Sequence, residues 1–256
     1  MTPILYNAII MAGGENKNRL ARVSPQPYEA LIEIAGRPMV AYVAEALLAS
    51  PHIGRVLIVG PADCLAKYQL PPGATVLQGG RAIIESLKIG IAAAGGSGKV
   101  LVATADIPLL TPEAVNDFIG KCSAVDADLY YPVVSREVNR RTYPKTERTY
   151  VRLREGTFTG GNLILLNPEI VARCEEKAEY IFRYRKNPYI LCQMLGWGFV
   201  LKFAFRQLGL REVEQRMSEI LGIRGVVIQS SYPEVGIDVD KPSDLELVRA
   251  AFAGRA

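Results

Sequence analysis

A short apolar run, Ala8-Ile-Ile-Met11, stops at a pair of glycines, Gly13-Gly14, and runs of this length recur along the chain. Val56 to Val59 ends at Gly60, and Val100 to Ala105 ends at Asp106. Leu129 to Val134, Leu163 to Leu166 and Gly225 to Gln229 are further runs of the same kind. Such runs lack the polar alternation of a half-exposed strand, so they read as strands buried on both faces. Between them, Met39 to Ala49 and Ile83 to Ala94 carry apolar residues at helical spacing. Thr111-Pro-Glu-Ala reads as an N-cap with proline at the first helical position. The alternation predicts an α/β fold: a mostly parallel sheet with helices on both faces.

At 256 residues the chain reads as one domain, 1–256, with a helical insertion over 175–222. An apolar content of 49% belongs to a folded globular protein. A net charge of +4 suits an anionic small substrate and is too weak to argue for nucleic acid. Cys64, Cys122, Cys174 and Cys192 form no Cys-x-x-Cys pair and read as reduced thiols of a cytoplasmic protein. The single histidine, His52, excludes a multi-histidine metal site. No basic stretch precedes a long apolar core at the start, so no secretory signal is expected.

Five stretches carry residues suited to chemistry. A glycine pair after a first parallel strand, Ala12-Gly13-Gly14, lets a ligand approach the backbone at the sheet edge where anionic groups bind. Asp106 closes an apolar strand, a place from which a carboxylate can hold a metal over a bound ligand. In Gly236-Ile-Asp238-Val-Asp240 the two acids alternate, so on a strand they point the same way. Asp106 and Asp238 would meet at one sheet edge, and two such hard oxygens suit Mg²⁺, which keeps water and phosphate oxygens as its other ligands. Gln78-Gly79-Gly80-Arg81 places an amide before a glycine pair, where it can read a base edge or simply turn the chain. The stretch from Ser135 to Gly156 is rich in Arg and Lys and reads as a β-ribbon or long loop. It leads into Gly160-Gly161-Asn162, where a ligand or a β-bulge would need the glycines.

The start of the chain resembles the signature of the nucleotidyltransferases that activate sugars, alcohols or cofactors. The molybdenum-cofactor guanylyltransferases and sugar-1-phosphate nucleotidyltransferases are among them. Ala12, Gly13, Gly14, Arg19, Leu20, Ala30, Leu31, Gly36, Arg37, Pro38 and Met39 match, while the family lysine before Ala-Leu is Glu29 here. Asp106-Ile-Pro-Leu and the late Asp238-Val-Asp240-Lys-Pro-Ser-Asp-Leu245 resemble the family's two acidic motifs. The resemblance covers roughly residues 5–170 and 224–250 and implies a glycosyltransferase-A-like fold and a Mg²⁺-dependent transfer of NMP from an NTP. The acceptor would be a phosphorylated small molecule, and pyrophosphate would leave. It implies catalytic roles for Arg19, Asp106 and Asp238, with Asp106 and Asp238 as metal ligands and Asp240 as second choice. Ala12, Gly13, Gly14, Gln78 and Gly79 would bind the nucleotide. Gly160, Gly161 and Asn162 would bind the acceptor, and the basic cluster beside them, with Lys145 and Arg148, is expected to contact its phosphate. A carboxylate at Glu29 would repel the α-phosphate unless a metal or arginine intervenes, so a catalytically silent nucleotide-binding regulator is the alternative.

The resemblance does not account for residues 175–222. Residues 188–208 form a long apolar segment interrupted by Gln193, Gly196, Gly198 and Lys202. The first reading is a helix buried against its own sheet or a second copy in a homodimer; a peripheral, lipid-facing helix is the second.

Overall fold

The computed structural model describes residues 5–17, 19–95, 98–184 and 194–254. Eleven strands are seen among them. They are β1 (Tyr6–Met11), β2 (Glu33–Ile34), β3 (Arg37–Pro38), β4 (Ile53–Gly60), β5 (Ala74–Gln78) and β6 (Val100–Thr104). β7 (Leu129–Ser135), β8 (Val151–Leu153), β9 (Gly156–Gly160), β10 (Leu163–Leu166) and β11 (Gly225–Ser230) follow. The main sheet runs β5-β4-β1-β6-β10-β7-β9-β8, with β11 on the free edge of β7. β9 and β10 run against the other strands of this sheet, and the rest share one direction.

Alternation along the central strands feeds two cores. Ala8 and Ile10 of β1, with Val56 and Ile58 of β4, sink into one. Ile9, Leu57 and Val59 between them sink into the other. Helices Met39–Leu48 and Pro112–Cys122 cover the first face, and helix Ile83–Ala94 and the start of helix Glu169–Tyr184 cover the second. Helices on both faces are what bury a strand that is apolar on both sides. Thr111 caps its helix as its sequence predicts, its Oγ1 accepting from the Ala114 N–H at 3.2 Å.

Topology then decides where a ligand can sit. From β1 the chain goes outward to β4 and β5, then returns to the opposite side of β1 for β6. The crevice outside the carboxyl ends of two strands whose connections diverge is the binding place of open α/β sheets. Here that crevice lies between the loop after β1 and the turn after β6.

Three sequence expectations are corrected. The stretch after Ser135 is not a ribbon from the start: it is a helix, Arg136–Thr142, capped by the Ser135 hydroxyl, followed by a loop and the short β8. Asp238 and Asp240 lie on no strand; they follow a 3₁₀ turn, Pro233–Gly236. A single helix over 188–208 is not seen: Gly196 takes φ +89° and a separate helix, Trp197–Ala204, starts there, while residues 185–193 lie outside the described residues. Phe199 packs against a cluster that joins Leu208 and Leu210 to Leu153 and Phe158 of the β8–β9 hairpin, but Trp197 is 62% and Leu201 55% exposed, so burial of this helix in its own domain is only partial. No helix among the described residues is long and apolar enough to cross a membrane.

Candidate functional site

The carboxyl ends of β1, β4, β5 and β6 enclose a cleft of about 890 Å³. Ala12, Gly13 and Gly14 line it from one side, Gln78 to Ile83 from another, and Thr104 to Asp106 form its inner end. The strands are drawn close here. A Cβ on Gly60 would lie 2.8 Å from the Ala12 carbonyl oxygen, so only glycine lets the loop after β1 rest on the end of β4. The Ala12 N–H donates to the Val59 carbonyl at 2.8 Å, and the Gly79 N–H donates to the Gly60 carbonyl at 2.8 Å. A Cβ on Gly13 would meet nothing within 4 Å, which leaves that backbone open to a ligand.

At the inner end, oxygens of Asp106, Asp238 and Asp240 lie within 4.8 Å of one another. The fold brings together residues more than a hundred positions apart because the Val239 N–H donates to the Asp106 carbonyl oxygen at 2.9 Å, stitching the C-terminal segment onto the end of β6. The Asp106 Oδ1 is buried and accepts no hydrogen bond. Burial raises the Asp106 carboxyl above its ordinary range and the Asp240 charge adds to the rise, while the Thr104 hydroxyl and the Arg148 charge work against it. Burial also raises Asp238, to about 7; the Arg148 guanidinium works against that rise, and Asp106 and Asp240 add to it. An orphaned carboxylate oxygen beside two further carboxylates is a donor set that fits a hard divalent cation.

Arg148 fills part of this cluster. Its side chain is only 7% exposed. Its Nη1 donates to Asp238 Oδ1 at 2.5 Å, and its Nη2 donates to the Asp238 carbonyl oxygen. The same Nη1 stands 3.9 Å from Asp244 Oδ2. Asp244 in turn accepts from the Asp240 N–H at 3.2 Å, which fixes the turn into the last helix, Pro242–Ala253. Lys241 pairs with Glu147 at 2.9 Å, so the loop before β8 is fastened to the C-terminal segment at two points.

Glu29 completes the cleft. Its N–H donates to the Gly14 carbonyl at 2.9 Å, and its side chain stands over Gly14. Burial, then Asp106 and Asp240, raise its carboxyl to about 7.

The residues picked out in the sequence fall into three groups. Ala12, Gly13, Gly14, Gln78, Gly79 and Asp106 share the cleft, and Asp238 and Asp240 join Asp106 at its end. The Gln78 amide is already engaged, accepting from the Ala62 N–H at 3.0 Å and donating to the Gly79 carbonyl at 3.2 Å. Arg19 is exposed at the start of a 3₁₀ turn, Arg19–Arg22, and does not line the cleft. Lys145 is exposed on the loop before β8, whereas Arg148 is committed to Asp238. Gly160, Gly161 and Asn162 form the step from β9 to β10: the Gly161 N–H donates to the Pro132 carbonyl and the Asn162 N–H to the Val235 carbonyl, both at 2.8 Å. Sequence reasoning missed the Arg148–Asp238 pair, whose members are 90 positions apart, and assigned no role to Arg81, though Arg81 follows the glycine pair it had singled out.

A doubly covered sheet with a glycine loop and an acidic cluster at its switch point is the frame of a nucleotide-handling transferase. Residues 8–193 match the model of the MobA-like NTP transferase domain, and the chain belongs to that nucleotidyltransferase family. A hypothetical transferase from Thermus thermophilus has the same fold, with a TM-score of 0.80 at 38% identity over 94% of this chain and 100% of that one. CMP:2-keto-3-deoxy-manno-octonic acid synthetase complexed with CTP shares the fold at a TM-score of 0.61 and 13% identity, over 98% and 100% of the two chains. The chain is 31% identical over 121 residues to the 2-C-methyl-D-erythritol 4-phosphate cytidylyltransferase of Nocardia farcinica, covering 46% of this chain and 51% of that protein. It is 34% identical over 117 residues to the bifunctional protein GlmU of Rhodospirillum rubrum, covering 44% and 25%. The match thus spans about half or less of the length of these curated relatives.

Proposed function

We propose that the protein transfers NMP from an NTP to a phosphorylated small-molecule acceptor, with release of pyrophosphate, and that Asp106, with Asp238 and Asp240, holds Mg²⁺. The observation that carries this reading is the unsatisfied, buried Asp106 Oδ1 at the end of a cleft floored by Ala12, Gly13 and Gly14. When bound, the metal would supply a positive charge against the phosphate oxygens of the two substrates. The chain's own residues do the rest by position. The backbone of the loop after β1 receives the triphosphate, and Arg81 at the cleft wall offers it a guanidinium. An acceptor phosphate is already ionised, so no strong base is required and alignment dominates the rate. The loop from Lys145 to Tyr150 stands beside the acidic cluster, where the acceptor would enter.

A second reading keeps the fold and removes the catalysis: Glu29 puts a carboxylate where the triphosphate must pass, as a silent nucleotide-binding regulator would tolerate. Pyrophosphate release from the four NTPs with a panel of sugar and alcohol phosphates decides between them. Turnover that is lost in Asp106→Ala while the unfolding temperature holds supports the enzyme. Tight NTP binding with no release under any pairing overturns it. The reading includes a cytoplasmic setting, in keeping with the free thiols of Cys64, Cys122 and Cys174, and a homodimer or lipid contact through the exposed helix Trp197–Ala204.

A further inference from the structure

Glu29 stands in the part of the cleft that a nucleotide's phosphates would occupy. Its Oε2 lies 3.4 Å from where a Cβ on Gly14 would be, so the carboxylate rests directly against the glycine loop. Asp106 lines the same cleft. Two other acids nearby have cationic partners: Glu15 pairs with Lys17, and Asp238 with Arg148. Among the described residues Glu29 has no ion pair.

The charge of the cleft makes this matter. Its acidic lining residues are Glu15, Glu29 and Asp106, and its basic ones are Lys17 and Arg81. Lys17 is already committed to Glu15. Arg81 is then the one cation among the lining residues left facing two acids, Glu29 and Asp106, so the cleft offers a triphosphate little positive charge of its own. A proton on Glu29 would cancel the carboxylate but add nothing against the phosphates. A divalent cation would do both, with carboxylate oxygens on one side and phosphate oxygens on the other, the ligand set that Mg²⁺ and Mn²⁺ prefer. The buried, unpartnered Asp106 Oδ1 at the inner end shows that the same cleft already presents an oxygen no protein donor satisfies.

We propose that Glu29 is a ligand to a second divalent cation, which enters with the nucleotide and lies between the Glu29 carboxylate and the triphosphate, separate from a cation held at Asp106. This rests on the nucleotidyltransferase reading above. In this chain the positive charge at the phosphates is then delivered by a metal rather than by a side chain at position 29.

The test counts Mn²⁺ on the full chain by electron paramagnetic resonance, with and without the α,β-methylene analogue of whichever of ATP, CTP, GTP and UTP binds tightest. The expected result is one Mn²⁺ without nucleotide and two with it. Glu29→Gln should hold one in both conditions, and Asp106→Asn should keep the nucleotide-dependent ion. Glu29→Lys should bind the analogue in EDTA at least tenfold tighter than the wild type does. A wild type that takes up one Mn²⁺ with the analogue bound, or a Glu29→Gln chain that still takes up two, overturns the second cation and leaves the nucleotidyltransferase reading standing. A wild type that binds none of the four analogues at any metal concentration overturns both.

Discussion

Replacing Arg148 with methionine keeps an apolar stem of similar length and removes the cation from the acidic cluster. The Arg148–Asp238 pair is largely withdrawn from water, at 7% and 22% side-chain exposure. Removing one partner of a buried pair costs about 3–5 kcal/mol, because the remaining charge is left uncompensated. Asp238 keeps some contact with solvent, which places the expected loss at the lower end, about 3 kcal/mol. For a chain of this size each kcal/mol moves the unfolding midpoint by about 2–4 °C, so Arg148→Met should lower it by about 6–12 °C at pH 8 without metal. The loss should be conditional. Asp238 already titrates at about 7 with Arg148 in place, and without it the carboxyl rises further, so at pH 5 the group is neutral and most of the penalty disappears. Mg²⁺ should also restore stability at pH 8, by about 2.7 kcal/mol at a hundred times its dissociation constant. Thermal unfolding followed by circular dichroism at both pH values, with and without Mg²⁺, measures all three effects. A drop of equal size at pH 5 and pH 8 that Mg²⁺ does not relieve would show that Arg148 acts through packing, and the electrostatic account would fail.

The unsubstituted protein should itself lose stability as pH rises. Asp238 and Glu29 titrate at about 7 when folded, against ordinary values of 3.8 and 4.5. Below the ordinary values the folded and unfolded chains are equally protonated. Between those values and 7 the folded chain holds more protons, so stability falls as pH climbs through that window. Midpoints measured from pH 5 to pH 8 without metal should decline, and Glu29→Gln should flatten the slope; an unchanged slope would count against the assignment. Gly161→Ala should destabilise by about 1–3 kcal/mol through overpacking, because the added Cβ would lie 2.8 Å from both Pro132 Cγ and Val235 Cγ1; denaturant unfolding checks it, and a neutral result would show that the β9–β10 step can relax. Trp197→Ser with Phe205→Ser should change monomer stability by less than about 0.5 kcal/mol each, since both side chains are mostly exposed. Sedimentation with and without anionic vesicles, and of the protein alone at rising concentration, then shows whether the pair matters for lipid or for self-association.

Much of the sheet was legible because burial leaves a periodic trace in the sequence. β1, β4, β6 and β10 each contain an apolar run, at 8–11, 56–59, 100–103 and 163–166, and helices Met39–Leu48 and Ile83–Ala94 carry helical spacing, so element type follows from local pattern alone. β5 escaped because an edge strand, Ala74–Gln78, buries little and reads as ordinary loop. Helix Arg136–Thr142 escaped because its Arg, Asn and Thr residues form no apolar stripe.

The site divides in the same way. Ala12 to Gly14, Asp106, and the Asp238–Asp240 stretch were readable one at a time, since a glycine pair or an acid at the end of an apolar run is a local signal. Their meeting was not. Asp238 and Asp240 reach Asp106 because the segment that carries them is pinned there, by the Val239-to-Asp106 hydrogen bond and by the burial of Ile237 and Val239. That Arg148 turns from solvent to Asp238 depends on the loop before β8 being fastened to the C-terminal segment. The sequence by itself determined the strands, the covered sheet and the kinds of residue at its edge, because those follow from short-range pattern and the burial of apolar area. Only the tertiary structure decided which charges face one another, because Coulomb interactions depend on distance and solvent access, and neither is written in the spacing of residues along the chain.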